Sequence, residues 1–209
     1  TEVTLGISGR CNGNGRTYIM YLFAGGASTA ATARSCVFPN TASTAPLESS
    51  SSDYDFGTGD FTIECWAKFL DNSTNILVDK RTSSTPATAL LLYHDNDKVY
   101  FWNGANRLSS SSLSKGQWYH IALARSSGTT QLYINGVSRG TYSDTTDYNS
   151  TAVYIGGEDN GNNCLNGSIS NLRIVKGTAV YTSSFRPPTE PLTNITNTKL
   201  LCCNNISIR

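Results

Sequence analysis

At 209 residues the chain is long enough to bury one sizeable core, and with a net charge of +1 and 15% charged residues it has no basic run longer than Lys80-Arg81. That excludes a surface built to track phosphates, so nucleic acid is not an expected partner. No apolar run approaches the ~20 residues of a membrane-spanning helix, so membrane insertion is not expected either.

The chain begins at Thr1 without a methionine, as a processed form or a fragment would. Its first stretch, TEVTLGISGRCNGNGRT, is rich in Gly and Asn and has no sustained alternation; residues 1–33 are predicted to be an N-terminal extension and 34–209 a single domain. Short strands are expected at 18–23 (YIMYLF) and 35–38 (SCVF), and the polar stretch STAPLESSSS at 43–52 reads as a surface loop.

The clearest strand is DFTIECWAKF. Phe61, Ile63, Cys65, Ala67 and Phe69 share one face, predicted to meet a core. Thr62, Glu64, Trp66 and Lys68 share the other, predicted to be wet or lightly covered. Further strands are predicted at 75–80, 89–94, 98–103, 118–125, 131–137, 152–156, 168–175 and 199–203, with LSSSSLS at 108–114 as a second surface loop. Asp95-Asn96-Asp97 and Ser126-Ser127-Gly128 are short turns that favour antiparallel hairpins.

At 168–175 the apolar phase slips. Either a bulge at Ser170-Asn171 keeps Ile169, Leu172 and Ile174 inward, or Ile169 faces the other side. Pro187, Pro188 and Pro191 keep the segment 182–198 from being regular in its first half, and it is expected to cross the outside of the domain. Helix signals are almost missing and at least nine strands cannot stay in one open sheet, so the prediction is all-β, two antiparallel sheets face to face.

Cys11, Cys36, Cys65, Cys164, Cys202 and Cys203 are scattered, with no Cys-x-x-Cys pair and only two histidines beside them. That spacing argues against structural zinc and leaves disulfides and buried thiols as alternatives.

Three stretches, YDFGTGDFTIECWAKF, KGQWYHIALARSSGTTQLYINGVSRG and IGGEDNGNNCLNGSISNLRIVKGTAVYTSSFRPPTEPL, together resemble the laminin-G-like, concanavalin A-like lectin/glucanase superfamily. The wording SNLRIVKGTAVYTSSFRPPTEPLT, with YLFAGGASTAATARS before it, is most similar to modules of tailed-phage structural proteins, tail fibres in particular. The resemblance implies a jelly-roll sandwich at 34–209. It also implies a place on a virion surface or outside the cell, in a homo-oligomer or larger assembly. Cys36, Cys164 and Cys202 depart from the family's look and keep an unusual cross-link open.

The superfamily includes sugar binders, glycosidases and adhesion modules, so function has to be read from the residues. Glycosidase chemistry needs two carboxyls ~5–10 Å apart, whereas the nearest pair, Asp60 and Glu64, is separated by four residues of strand, ~13 Å. His120 has no nucleophile elbow to serve. No catalytic residue is assigned, and a non-enzymatic module is expected.

In the strand 118–125, Tyr119, Ile121 and Leu123 form the more apolar face, leaving Trp118 and His120 opposite, joined by Tyr133 from the next strand. Trp118 and Tyr133, extended by Tyr93, Tyr100 and Trp102, make a candidate carbohydrate-binding face, because sugar C–H groups stack on such rings. The alternative is that these rings support the sheet beneath loops or a neighbouring subunit. The loop GGEDNGNNC offers Asp159, Asn160 and Asn162 as candidate calcium ligands, although ordinary turn chemistry also explains it. Two functions follow: a lectin-like module that holds host-surface polysaccharide or other glycans, or a structural module, a capsid decoration or fibre subunit, that binds neighbouring copies.

Overall fold

Runs of β-branched and aromatic residues, punctuated by Gly, Asn and Asp, build strands joined by tight turns. The computed structural model describes residues 30–32, 34–40, 46–81 and 89–204; the strand expected at 18–23 and Cys11 lie outside the described residues. The strands are β1 (Cys36–Pro39), β2 (Leu47–Ser50), β3 (Phe61–Phe69), β4 (Asn75–Asp79), β5 (Leu91–Asp95), β6 (Lys98–Trp102) and β7 (Asn106–Ser109). They continue with β8 (Trp118–Ser126), β9 (Thr129–Ile134), β10 (Val137–Ser143), β11 (Ala152–Ile155), β12 (Asn166–Lys176) and β13 (Thr198–Cys202).

These form the expected two-sheet sandwich. Sheet A has seven strands in the order β1-β12-β3-β8-β9-β10, with β13 also paired to β12. Sheet B has six, in the order β2-β11-β4-β5-β6-β7. The core lies between them: Ile63, Cys65, Phe69, Ile121, Leu123, Leu132 and Ile134 from sheet A meet Val78, Leu92, Val99, Phe101, Val153 and Ile155 from sheet B, all buried. Two buried cations tie loops to this core through carbonyl oxygens. Lys80 Nζ donates to Tyr54 O at 2.6 Å and Ser150 O at 2.8 Å, and the Arg125 guanidinium donates to Gly57, Gly59 and Thr146 carbonyls at 2.7–2.8 Å.

The phase slip near 170 is a bulge. The β12–β3 register shifts between Ser170 and Arg173, Asn171 takes a left-handed φ of 51°, and Ile169, Leu172 and Ile174 all enter the core. Three expectations are corrected. Within the expected loop 43–52, Leu47–Ser50 is an edge strand, held by backbone pairing with Ala152–Ile155, which a Ser-rich sequence can supply as well as an apolar one. Leu108 and Ser109 belong to β7, with Leu108 buried against the core. Finally, the run 131–137 is broken at Asn135-Gly136, whose φ values of 50° and 75° make the two-residue hairpin turn between β9 and β10.

Residues 30–32, inside the segment expected to be an extension, form a 3-10 turn bound to the domain: Ala31 N–H donates to Thr189 O at 3.0 Å and Ser170 Oγ to Ala31 O at 2.7 Å. The segment from Thr178 to Leu192 runs irregularly across the outer face of sheet A, as its prolines require. Its contacts there include Val180 N–H donating to Thr62 Oγ1 at 2.8 Å and Phe185 N–H donating to Gly136 O at 2.9 Å. Gly136 is obligatory, since a Cβ there would lie 1.8 Å from that Phe185 oxygen.

Candidate functional site

The sandwich has two outer faces, and they differ. On sheet A, the side of β3 expected to be wet is sealed: Thr62 and Glu64 are fully buried and Trp66 is 8% exposed. The Pro-containing segment supplies the cover. Tyr181 and Phe185 stack at 3.6 Å and lie over His120, Ala122 and Tyr133.

Beneath this cover Glu64 meets three partners. Arg173 donates to Glu64 Oε1 from Nε at 2.9 Å and Nη2 at 2.6 Å, while Oε2 accepts Tyr181 Oη–H at 2.8 Å and faces His120 Nε2 at 3.2 Å. Burial alone would raise the carboxyl's pKa, but the hydrogen bond and charge of His120, the Arg173 charge and the Tyr181 hydroxyl together hold it below the usual carboxylate range. Burial, followed by the Glu64 charge, pushes the Tyr181 hydroxyl up. Every charge here is spent on a neighbour, and the group has no surface on which a ligand can land.

On sheet B the outer side is partly open: Glu48 and Asn106 are exposed, whereas Asp79 and Leu91 in its middle are buried. The register carries one row across all six strands, Glu48, Tyr154, Asp79, Leu91, Trp102 and Asn106. Beside it Tyr93 and Tyr100 face each other across β5 and β6, stacked at 5.2 Å, and Tyr93 Oη–H donates to Asn106 Oδ1 at 2.8 Å. The rings of Tyr93, Tyr100, Trp102 and Tyr154 are half-buried, because Leu92, Val99, Phe101, Val153 and Ile155 take the inward positions between them. At the β11 end, Arg81 donates to both Asp79 oxygens, at 2.9 and 2.7 Å, and to Glu158 Oε1 at 2.8 Å. The Asp79 hydrogen bond, offset in part by burial, holds the guanidinium's pKa up, while Arg81 and Asn163 hold the Glu158 carboxyl low against burial.

The five aromatic candidates therefore do not form one face. Tyr93, Tyr100 and Trp102 stand together on sheet B, whereas Trp118 lies on sheet A with Lys68 Nζ 5.3 Å over its ring. Tyr133 is fully buried under Tyr181 and Phe185, so it has no surface to offer. The sequence reading placed the two hairpins side by side; the chain instead changes sheet between β7 and β8.

Glu48, Asp79, Arg81, Asn106, Tyr154 and Glu158 were missed. The signal for Tyr154 was present in the alternation of AVYI, but Glu48, Tyr154 and Glu158 come to the site only as β2 and β11 join β4, and Asp79 and Asn106 only through the β4–β5 and β6–β7 pairings. Asp159, Asn160 and Asn162 are exposed; Asn160 Oδ1 accepts Asn162 N–H at 2.9 Å, an Asx turn. Among the described residues no group of three or more His, Cys, Asp or Glu side chains gathers to hold a metal ion.

A family model described as the concanavalin A-like lectin/glucanases superfamily matches residues 40–180. The chain belongs to this superfamily. As a concanavalin A-like domain it is similar in fold to solved structures of low sequence identity. One is a putative carbohydrate binding protein from Bacteroides ovatus, with 19% identity, TM-score 0.59, and 75% of this chain and 48% of that one covered. Another is the mouse laminin alpha1 chain, domains LG4-5, with 18% identity, TM-score 0.53, and 72% and 44% covered. A third is the Ruminococcus gnavus IT-sialidase CBM40 bound to alpha2,3 sialyllactose, with 16% identity, TM-score 0.51, and 66% and 92% covered. The match spans less than half the length of the first two. No curated protein matches the chain by sequence.

Proposed function

We propose that this domain is a non-enzymatic carbohydrate-binding module that reads glycans on the outer face of sheet B. The observation that carries the reading is the half-exposed group of Tyr93, Tyr100 and Trp102 beside Asn106, with Tyr154 and the Asp79–Arg81–Glu158 cluster across the buried Leu91 on the same face. Aromatic faces take the C–H side of a sugar ring, and amide, carboxylate and guanidinium groups bond its hydroxyls. The similarity in fold to a putative carbohydrate binding protein and to a CBM40 bound to alpha2,3 sialyllactose supports it. Binding is favoured over bond cleavage because Glu64 is sealed and Asp79 and Glu158 are both engaged by Arg81.

On a virion or extracellular fibre, weak contacts of this kind would be multiplied by copy number into firm attachment to host-surface polysaccharide. A glycan array with multimerised protein, run with calcium and again after chelation, tests the reading. Trp102→Ala is expected to lower affinity for the sugars bound by about tenfold while leaving the unfolding midpoint nearly unchanged. Failure of the wild type to bind any host-derived polysaccharide at millimolar sugar counts against it.

A second reading is favoured by Val37 on β1 and Leu47 on β2, which are 70% and 43% exposed on edge strands. Such edges suit contact with neighbouring copies in an assembly.

A further inference from the structure

Three thiols from the first and last described strands meet at the bulge of β12. β1 and β13 both lie on the side of β12 away from β3, β1 opposite residues 166–169 and β13 opposite 172–175. Both run antiparallel to β12, so the end of β13 points at the start of β1, like one strand with a gap. Cys36 stands opposite Ile169 and Cys202 opposite Leu172.

Cys203 fills the gap. Its carbonyl accepts Asn171 N–H at 3.1 Å, and its φ of 59°, uncommon for a residue with a side chain, turns the chain at that point. The buried Cys203 thiol donates to Cys202 Sγ at 3.8 Å, and Cys36 and Cys202 pack against the same core that Cys203 enters. Cys36 and Cys202 are half-buried.

Position along β12 selects the pair. Cys203 lies opposite Asn171, between Cys202 opposite Leu172 and Cys36 opposite Ile169, so it is the nearer of the two to Cys36, and a disulfide needs Cα atoms within ~7 Å. We propose that Cys36 and Cys203 form a reversible thiol–disulfide couple that locks the first described strand to the last when a low-molecular-weight disulfide is the oxidant.

In the first step deprotonated Cys36 attacks one sulfur of the oxidant, forming a mixed disulfide and releasing one thiolate. In the second, Cys203 loses its proton to solvent and attacks the Cys36 sulfur, releasing the other thiolate, so that the two protons given up by the protein end on the two small thiols. Two protein thiols are oxidised to one disulfide, and one small disulfide is reduced to two thiols. The hydrogen bond it donates to Cys202, with burial, holds the Cys203 thiol high, which makes the second step the slower one. Cys65 is fully buried, and burial followed by the Glu64 charge pushes its thiol up, so it takes no part.

The test is to treat the fully reduced chain with glutathione disulfide and follow it by intact mass and peptide mapping. The expected product has lost the mass of two hydrogens, joins the Cys36 peptide to the peptide holding Cys203, and unfolds about 10 °C higher than the reduced form. Cys36→Ser and Cys203→Ser each abolish the cross-link with unchanged circular dichroism, and Cys202→Ser keeps it. A cross-link that survives in Cys36→Ser, one lost in Cys202→Ser, a stable glutathione adduct or a disulfide-linked dimer would each overturn the assignment.

Discussion

The outer faces of the two sheets start from the same kind of strand and end as opposites. β3 alternates Ile63, Cys65 and Ala67 inward with Thr62, Glu64 and Trp66 outward, and β6 alternates Val99 and Phe101 inward with Tyr100 and Trp102 outward. On sheet A the outward set is buried by Tyr181, Phe185 and their neighbours; on sheet B it stays half-exposed. An outward polar or aromatic row is therefore a site only where no distant segment covers it. Covered, the same chemistry becomes part of the core, and its charges must be neutralised in place.

The largest effect is expected from breaking the buried cluster. Arg173→Met leaves Glu64 without its bidentate partner and should cost about 3–5 kcal/mol in denaturant unfolding. The pH dependence has a definite sign. Because the folded Glu64 carboxyl lies below its ordinary value, the unfolded chain binds more protons near pH 4. The cluster's contribution is thus complete above ~4.3, and it is lost as pH falls through the lower folded value. Arg173→Met should move the onset of acid destabilisation to higher pH, and an unmoved onset would mean that Arg173 does not hold this carboxylate.

A smaller loss is expected from thinning the cover. Phe185→Ala removes the ring over His120 and Tyr133 and should cost about 2 kcal/mol, with faster hydrogen exchange at the Val180 and Phe185 amides and little change in β4 or β5. If exchange rises equally in both sheets, the cover is not a separate unit. The smallest effect belongs to sheet B: Tyr93→Phe deletes an exposed bond to Asn106 and should change stability by no more than about 0.5 kcal/mol. A drop of several kcal/mol there would show that the open face is structural after all.

Much of the sandwich was legible because it is written locally. The inward sets of β3 and β8 follow from alternation, and the bulge at Ser170-Asn171 was one of two readings of a one-residue phase slip. β2 was missed because edge pairing needs only backbone groups, which leave little mark on side-chain pattern. The Asn135-Gly136 turn carried a strong hairpin signal that the apolar run around it obscured. The candidate site was half legible: Tyr93, Tyr100 and Trp102 were named, whereas Asp79 and Arg81 join them through pairing of β4 with β5 and Glu158 through pairing of β11 with β4.

The sequence by itself determined the all-β class and the faces of the central strands, because a period of two residues is a local property of extended backbone. Only the tertiary structure decided which outward face remains open. Glu64 and Tyr181 are 117 positions apart and Glu64 and Arg173 are 109, so no alternation within β3 reports what lies over it. The same holds for Cys36 and Cys203, brought together because β12 pairs with both ends of the domain on one side.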